Sequence, residues 1–421
     1  MRTQILKSNK IMKRLLLSTV ILLCFFTSIN AQFDCVFNTD TGQWVKPGTT
    51  SEPCTNTIIT SVPFLRITPD ARSGAMGDAG IAISPDANAI HYNSSKLAFV
   101  EQELSLSATY TPWLRALGLN DVYMAYLSGY KQIDKLSTVG FGLRYFSLGL
   151  INYTNDSGGD NGTGKPNEFE VSAAYARKLT DNFSLSIGGK FIYSNLAAGQ
   201  RVGAVEINPG TAGAVDFGLT YKKPIELSGN ETNLTIGAAI TNLGTKISYT
   251  NSANKDFIPT NLGIGAAWEF NFDEYNSFTF TTDINKLLVP TPCLGGTGPD
   301  TPDCDEDADG IPDYKQKSVV GGVLGSFSDA QGGFSEEIRE LMYSVGVEYW
   351  YDKQFAVRAG YYSEHRTKGN RQFFTVGLGL KYNVFGLNFS YLVPTTNQRN
   401  PLDNTLRFSL IFDFEAFEDE E

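Results

Sequence analysis

From residue 102 onward the chain repeats one pattern, in which large apolar side chains alternate with small or polar ones. In 138–146, Val139, Phe141, Leu143 and Tyr145 share one face, and Gly140, Gly142 and Arg144 share the other. In 374–382, Phe374, Val376, Leu378, Leu380 and Tyr382 oppose Thr375, Gly377, Gly379 and Lys381. In the last stretch Leu406, Phe408, Leu410, Phe412 and Phe414 oppose Thr405, Arg407, Ser409 and Asp413. A period of two is that of a strand with one apolar face. About fourteen such stretches begin near residues 102, 121, 136, 167, 182, 213, 232, 257, 274, 341, 354, 371, 385 and 404.

The second face decides the architecture. It carries many Gly, Ser and Ala with a few charges, while the apolar face ends in aromatics. That suits a strand between lipid and a tight or wet lumen, with aromatic girdles at both interfaces. A soluble sandwich tends to use shorter strands. The predicted fold is all-β: a transmembrane β-barrel of about 14 antiparallel strands over residues 102–414. Short links at 132–135, 179–181, 225–231, 271–273, 352–353 and 383–384 alternate with longer ones. Short periplasmic turns alternating with long external loops place both termini inside. The longest external loop is 289–340, and an acidic tail, 415–421, follows the last strand.

Ahead of the barrel the character changes. Residues 32–61, polar and rich in Gly and Pro from Cys35 to Cys54, read as an N-terminal periplasmic segment. In 62–101, Thr68-Pro69-Asp70-Ala71 and Ser84-Pro85-Asp86-Ala87 each read as a helix cap followed by proline in the first turn. Gly74, Gly77 and Gly80 make a tight turn between them. Two short helices there are expected to plug the barrel, a mobile periplasmic arm being the other reading.

The first residues settle the compartment. Met12-Lys13-Arg14 is basic, Leu15 to Phe26 is apolar, and Ile29-Asn30-Ala31 precedes Gln32. This is the layout of a secretory signal peptide over residues 1–31, shorter in its apolar run than the roughly 20 residues of a spanning helix. Cys24 follows Leu23, too bulky for a lipoprotein site. Removing 1–31 takes away Arg2, Lys7, Lys10, Lys13 and Arg14, so the formal charge moves from −11 to −16. Such acidity excludes nucleic acid as a partner. The predicted location is the outer membrane of a Gram-negative cell, with the lipid bilayer around the barrel. Four cysteines remain. Three connectivities are open, and in an oxidising compartment the close spacing favours Cys35 with Cys54 and Cys293 with Cys304.

Candidate chemistry is sparse. Asp305-Glu306-Asp307-Ala308-Asp309-Gly310-Ile311-Pro312-Asp313 places acids at alternate positions before a glycine turn. Asp305, Asp307, Asp309 and Asp313 are the candidate ligands of a structural Ca²⁺. The twelfth position holds Gln316 where an EF-hand has a bidentate Glu, which points to weak binding; a solvated acidic loop is the alternative. No other cofactor is expected. The two histidines, His91 and His365, have no nucleophile and acid arranged beside them by any local motif, so no enzyme is predicted. The inward charges Arg144, Lys190, Arg358, Lys381 and Arg407 are expected to pair with Glu168, Glu170 and Glu348, closing the barrel rather than tuning a pore.

Several runs carry a resemblance. Val62-Pro63-Phe64-Leu65-Arg66-Ile67-Thr68-Pro69-Asp70-Ala71-Arg72-Ser73-Gly74-Ala75-Met76-Gly77-Asp78 resembles the N-terminal signature of the PorV family of the type IX secretion system. So do Ser84-Pro85-Asp86-Ala87-Asn88 and Tyr110-Thr111-Pro112-Trp113-Leu114. Ser326-Phe327-Ser328-Asp329-Ala330-Gln331-Gly332-Gly333-Phe334 is similar to the motif of that family's longest loop. The resemblance implies a plugged barrel like the fatty-acid channel FadL. It implies as partners the large translocon barrel, the cell-surface attachment complex, and secreted cargo with C-terminal signal domains. Leu324, Phe327 and Phe334 in the long loop are the candidate partner-binding residues, since exposed apolar side chains on a loop mark a protein-binding site. The competing function is a FadL-like channel for long-chain fatty acids or other hydrophobic small molecules.

Overall fold

The computed structural model describes residues 36–38, 43–45, 56–115, 118–154, 158–203, 205–227, 230–250, 255–293, 304–306, 310–330, 333–395 and 405–414. The expected signal peptide, Cys35, Cys54, Asp307, Asp309 and the acidic tail lie outside them. Two compact units divide the chain at Thr55. In the first, Val36–Asn38 and Gln43–Val45 pair as an antiparallel hairpin.

The second unit is a closed antiparallel barrel of fourteen strands. In chain order they are β1 (Leu104–Pro112), β2 (Val122–Asp134), β3 (Ser137–Leu148), β4 (Asn167–Thr180), β5 (Phe183–Asn195), β6 (Gly210–Leu227) and β7 (Asn230–Gly244). They continue as β8 (Asn261–Asn271), β9 (Asn276–Leu287), β10 (Met342–Tyr351), β11 (Phe355–Ser363), β12 (Gln372–Tyr382), β13 (Phe385–Pro394) and β14 (Leu406–Phe414). Each strand pairs with its sequence neighbours, and β14 closes on β1 with Phe408 opposite Tyr110 and Phe414 opposite Leu104. Closure pairs the wall's main-chain groups within the protein, which lipid cannot do.

The predicted faces hold. Val139, Phe141, Leu143 and Tyr145 are exposed on the outer wall while Arg144 is buried, and Phe374, Val376, Leu378, Leu380 and Tyr382 are likewise outside. The inner face carries Ser105, Ser107, Thr109, Ser128, Ser184, Thr281, Ser390 and Ser409, all buried. Short side chains on that face leave room for a second layer.

Residues 62–101 fill the lumen as that layer. Its helices, α1 (Ala71–Gly74) and α2 (Ala89–Tyr92), are only four residues long. Their caps differ from the expected ones. Asp70, not Thr68, caps α1, accepting from the Ser73 N–H at 2.9 Å. Ser84 begins no helix; its hydroxyl and carbonyl oxygens accept from Arg72 at 2.6 and 3.0 Å instead. A buried guanidinium needs acceptors more than a short helix needs a cap.

The direction of this layer departs from the sequence reading. Residues 32–61 were expected at the short-turn end of the barrel. Of these, Asn56–Ser61 lie at the opposite end: the Asn56 N–H donates to Thr367 at 2.9 Å and the Ser61 N–H to Phe257 at 3.0 Å, both in long connections. Below them Ile58, Val62, Phe64 and Leu65 join Trp113, Phe146, Phe257 and Tyr362 in an apolar core under the long loops. The chain then descends until Leu97 and Val100 pack with Tyr130 and Ala176, and Glu103 accepts from the Gln132 N–H at 2.7 Å near the short turns. Caps, prolines and glycines in 62–101 suggested a plug; they carry no sign of which mouth it entered.

Candidate functional site

Two regions could carry function: the lumen and the long-loop face. In the lumen, polar bonds tie the inner layer to the wall at every level. Near the long loops, Arg144 donates to the carbonyls of Phe64 and Leu65 at 3.0 and 3.1 Å and meets Glu170 at 3.4 Å. Lys190 lies 2.8 Å from Asp216 and 3.7 Å from Glu170. Lower down, Glu348 takes both Arg72 at 2.8 Å and Arg358 at 2.6 Å, joining the inner layer to β10 and β11. Asp283 accepts from the Gly80 and Ile81 N–H groups at 2.7 and 2.9 Å, and Thr220 accepts from Asn93 at 3.0 Å. Arg407 reaches the Thr68 carbonyl at 3.2 Å, and Glu168 accepts from Ser194. The predicted pairing of inward charges is therefore real for Arg144, Lys190 and Arg358. Lys381 pairs elsewhere, with Asp413 at 2.7 Å.

Close backbone contact adds to these bonds. Gly77 adopts a left-handed conformation, φ 67°, and a Cβ there would lie 2.5 Å from the Tyr361 carbonyl oxygen. Opposite it, a Cβ on Gly360 would lie 2.1 Å from the Gly77 nitrogen. Only glycines let two backbones approach so closely. A cavity of about 100 Å³ beside the inner layer is lined by Asp78, Asp283 and Arg371 and equally by Leu65, Ile81 and Met342. That size suits a few waters.

The long-loop face is built differently. Cys293 and Cys304 form the predicted disulfide. Past it, the Asp313 N–H donates to the Cys304 carbonyl at 2.9 Å, Asp313 accepts from the Glu306 N–H at 3.2 Å, and Asp305 accepts from the Gly310 N–H at 2.8 Å. Two of the four candidate calcium ligands thus share one tight turn. Among the described residues no group of three or more metal-binding side chains is assembled.

Three short helices follow: α3 (Asp313–Gln316), α4 (Val319–Gly325) and α5 (Phe334–Arg339). Ser318 caps α4 through the Gly321 N–H at 3.0 Å. The buried Gly322 presses on Phe257 and Pro290, so the opposite side of α4 points outward. Leu324 is 69% exposed, Phe327 50% and Phe334 79%, and Val320 and Ile338 are exposed with them.

A buried clamp holds α5 in place. Lys286 of β9 binds Glu337 at 2.9 Å and Glu340 at 2.6 Å, and Lys368 binds Glu340 at 3.0 Å. Glu340 also accepts from the Thr291 hydroxyl at 2.7 Å. Beside it, Glu364 pairs with Arg371 and, at 3.1 Å, with Arg66. Burial pushes the Glu364 carboxyl up, but the two guanidiniums outweigh this and hold it at about 2. The sequence reading missed the clamp. Its one available signal was Lys286 at a strand end followed, across the loop, by Glu336-Glu337 and Glu340.

Comparison with known proteins fits this architecture. A family profile described as type IX secretion system protein PorV matches residues 50–294, more than half of the chain. The chain belongs to the PorV family. It is an outer-membrane barrel of the type IX secretion system. The match ends before α3, so the likeness of Ser326 to Phe334 to a family loop motif stands outside it. Among solved structures, the P. putida toluene transporter TodX is similar at 11% identity and a TM-score of 0.47, covering 82% of this chain and 98% of its own. The Ralstonia pickettii toluene transporter TbuX gives 12% and 0.46 with coverage of 82% and 98%. A Pseudomonas aeruginosa FadL homologue gives 11% and 0.41 with coverage of 86% and 100%. No curated protein matches the sequence.

Proposed function

We propose that this PorV-family barrel binds secreted cargo at its long-loop face and passes it from the translocon barrel to the surface attachment complex. One observation carries the reading: the largest external loop presents Val320, Leu324, Phe327 and Phe334 to solvent, with α4 seated on Phe257 and Pro290 through Gly322 and α5 held by a buried clamp. Exposed apolar side chains on braced elements are the mark of a protein-binding surface. The run from Ser318 to Ser328 has no charged residue, so a partner desolvates no ion on covering it. The lumen does not favour the channel reading. Its layer is bonded to the wall throughout, and the cavity beside it is small.

The test is a triple substitution, Leu324→Ser, Phe327→Ser and Phe334→Ser, compared with the native chain at equal surface abundance. Release or anchoring of cargo should fall at least about tenfold, the equivalent of about 1.4 kcal/mol of lost partner affinity. Normal secretion by a variant that folds and reaches the surface would refute the assignment.

We further propose that Asp305, Asp307, Asp309 and Asp313 hold a structural Ca²⁺, braced by the Cys293–Cys304 disulfide. Alternating carboxylates before a glycine turn suit a hard cation. Calorimetry on the intact protein should give a dissociation constant of about 0.1–1 mM. Asp307→Ala should remove the signal without affecting barrel assembly. No calcium-dependent heat in the native protein would end this assignment.

A further inference from the structure

We infer that the inner layer is a thread running from the outer face inward, so that Asn56–Ser61 form part of the cell-surface face. The inference rests on the reading of the long-loop face as the outer one. Three anchors fix this segment across the mouth. The Asn56 N–H donates to Thr367, its side chain donates to Glu336 of α5 at 3.0 Å, and the Ser61 N–H donates to Phe257. Its side chains alternate as an extended segment's do. Ile58 is 7% exposed and packs into the apolar core, while Ile59 is 80% exposed and stands clear of it.

From Val62 the chain passes Arg144 near the long loops, then Glu348 and Asp283, meets Arg144 again at His91, and reaches Tyr130 near the short turns before it turns back up as β1. A plug pushed in from the inner face would have both ends there; this one has an end at each mouth.

The experiment uses single cysteine substitutions in the full-length chain: Ile59→Cys, Gln316→Cys in the long loop and Gln354→Cys in the β10–β11 turn. Each is exposed to a membrane-impermeant maleimide in intact and in lysed cells, with the native chain as background. Ile59→Cys and Gln316→Cys should label equally before and after lysis, and Gln354→Cys only after. Labelling of Ile59→Cys only after lysis, with Gln316→Cys labelled in intact cells, would overturn the thread. If Gln316→Cys labels only after lysis and Gln354→Cys before it, the outer assignment of the long loops is what fails, and the inference falls with it. A bound partner that shields Ile59 is met by a second measurement on purified protein. Asn56→Cys with Thr367→Cys should cross-link on mild oxidation in detergent, and a folded barrel without that cross-link would equally overturn the placement.

Discussion

Glu348→Met is expected to destabilise the barrel by about 3–5 kcal/mol, the cost of removing one partner from a buried charge cluster. Glu348 is buried between Arg72 of the inner layer and Arg358 of β11. Without it, two guanidiniums face each other in a closed lumen. Arg72 keeps Asp86 at 3.2 Å and the Ser84 acceptors, and Arg358 keeps Asn388 at 2.8 Å, so neither loses every partner. Neither remaining set supplies a carboxylate shared by both. Replacing all three members, Arg72→Met, Glu348→Met and Arg358→Met, should recover much of the loss, because the facing guanidiniums are gone and only the partly exposed Asp86 loses a partner. Urea titration of the folded barrel in mild detergent measures both variants. A change below about 0.5 kcal/mol in Glu348→Met, the range of ordinary surface substitutions, would show that the cluster does not hold the layer to the wall.

Much of this architecture was legible because its cause is local. A strand between lipid and a lumen must alternate, so Val139, Phe141 and Leu143 against Arg144 announce both the strand and its faces. Expected starts agree with observed ones within four residues, including 167 for β4 and 385 for β13. Arg358 and Glu348 were readable as partners because both sit at inward parity on neighbouring strands, and they prove to be directly opposite in register. Other features were not readable, since they depend on contacts made across hundreds of residues. Nothing in Lys286 announces a pair of glutamates on a helix beyond a long loop. Nothing in Asn56 announces Thr367. Arg72 stands in a recognisable run, yet its use of Ser84, which displaced an expected cap, follows only once both are shut in the same lumen. Leu324, Phe327 and Phe334 fall between these cases: their place in a long loop suggested exposure, whereas the contacts that fix them, Gly322 on Phe257 and the clamp on α5, are tertiary.

Gly360→Val is expected to open the barrel without unfolding it. The Cβ of a residue at 360 would lie 2.1 Å from the Gly77 nitrogen and from the Met76 carbonyl carbon. Both are backbone, so no rotamer change relieves the clash. The wall at this point is held by β10 and β12 on either side, with Thr375 opposite Gly360 on β12. The inner layer is the softer element, because its α1 has a single turn and Gly77 already sits in a left-handed conformation. Displacing it breaks the bonds of Thr375 to the Gly77 N–H at 2.8 Å and to the Ala75 carbonyl at 2.9 Å. Water then enters a lumen lined by serine, threonine and charged side chains. The purified variant in planar bilayers should conduct ions at least about tenfold above the native protein, and cells carrying it should become sensitive to large antibiotics that the outer membrane normally excludes. Gly213→Ala, whose Cβ meets nothing within 4 Å, is the matched control and should leave conductance unchanged. A Gly360→Val protein that folds, reaches the membrane and stays as electrically silent as the native chain would mean that the wall yields instead, and that the layer is held more firmly than the barrel around it.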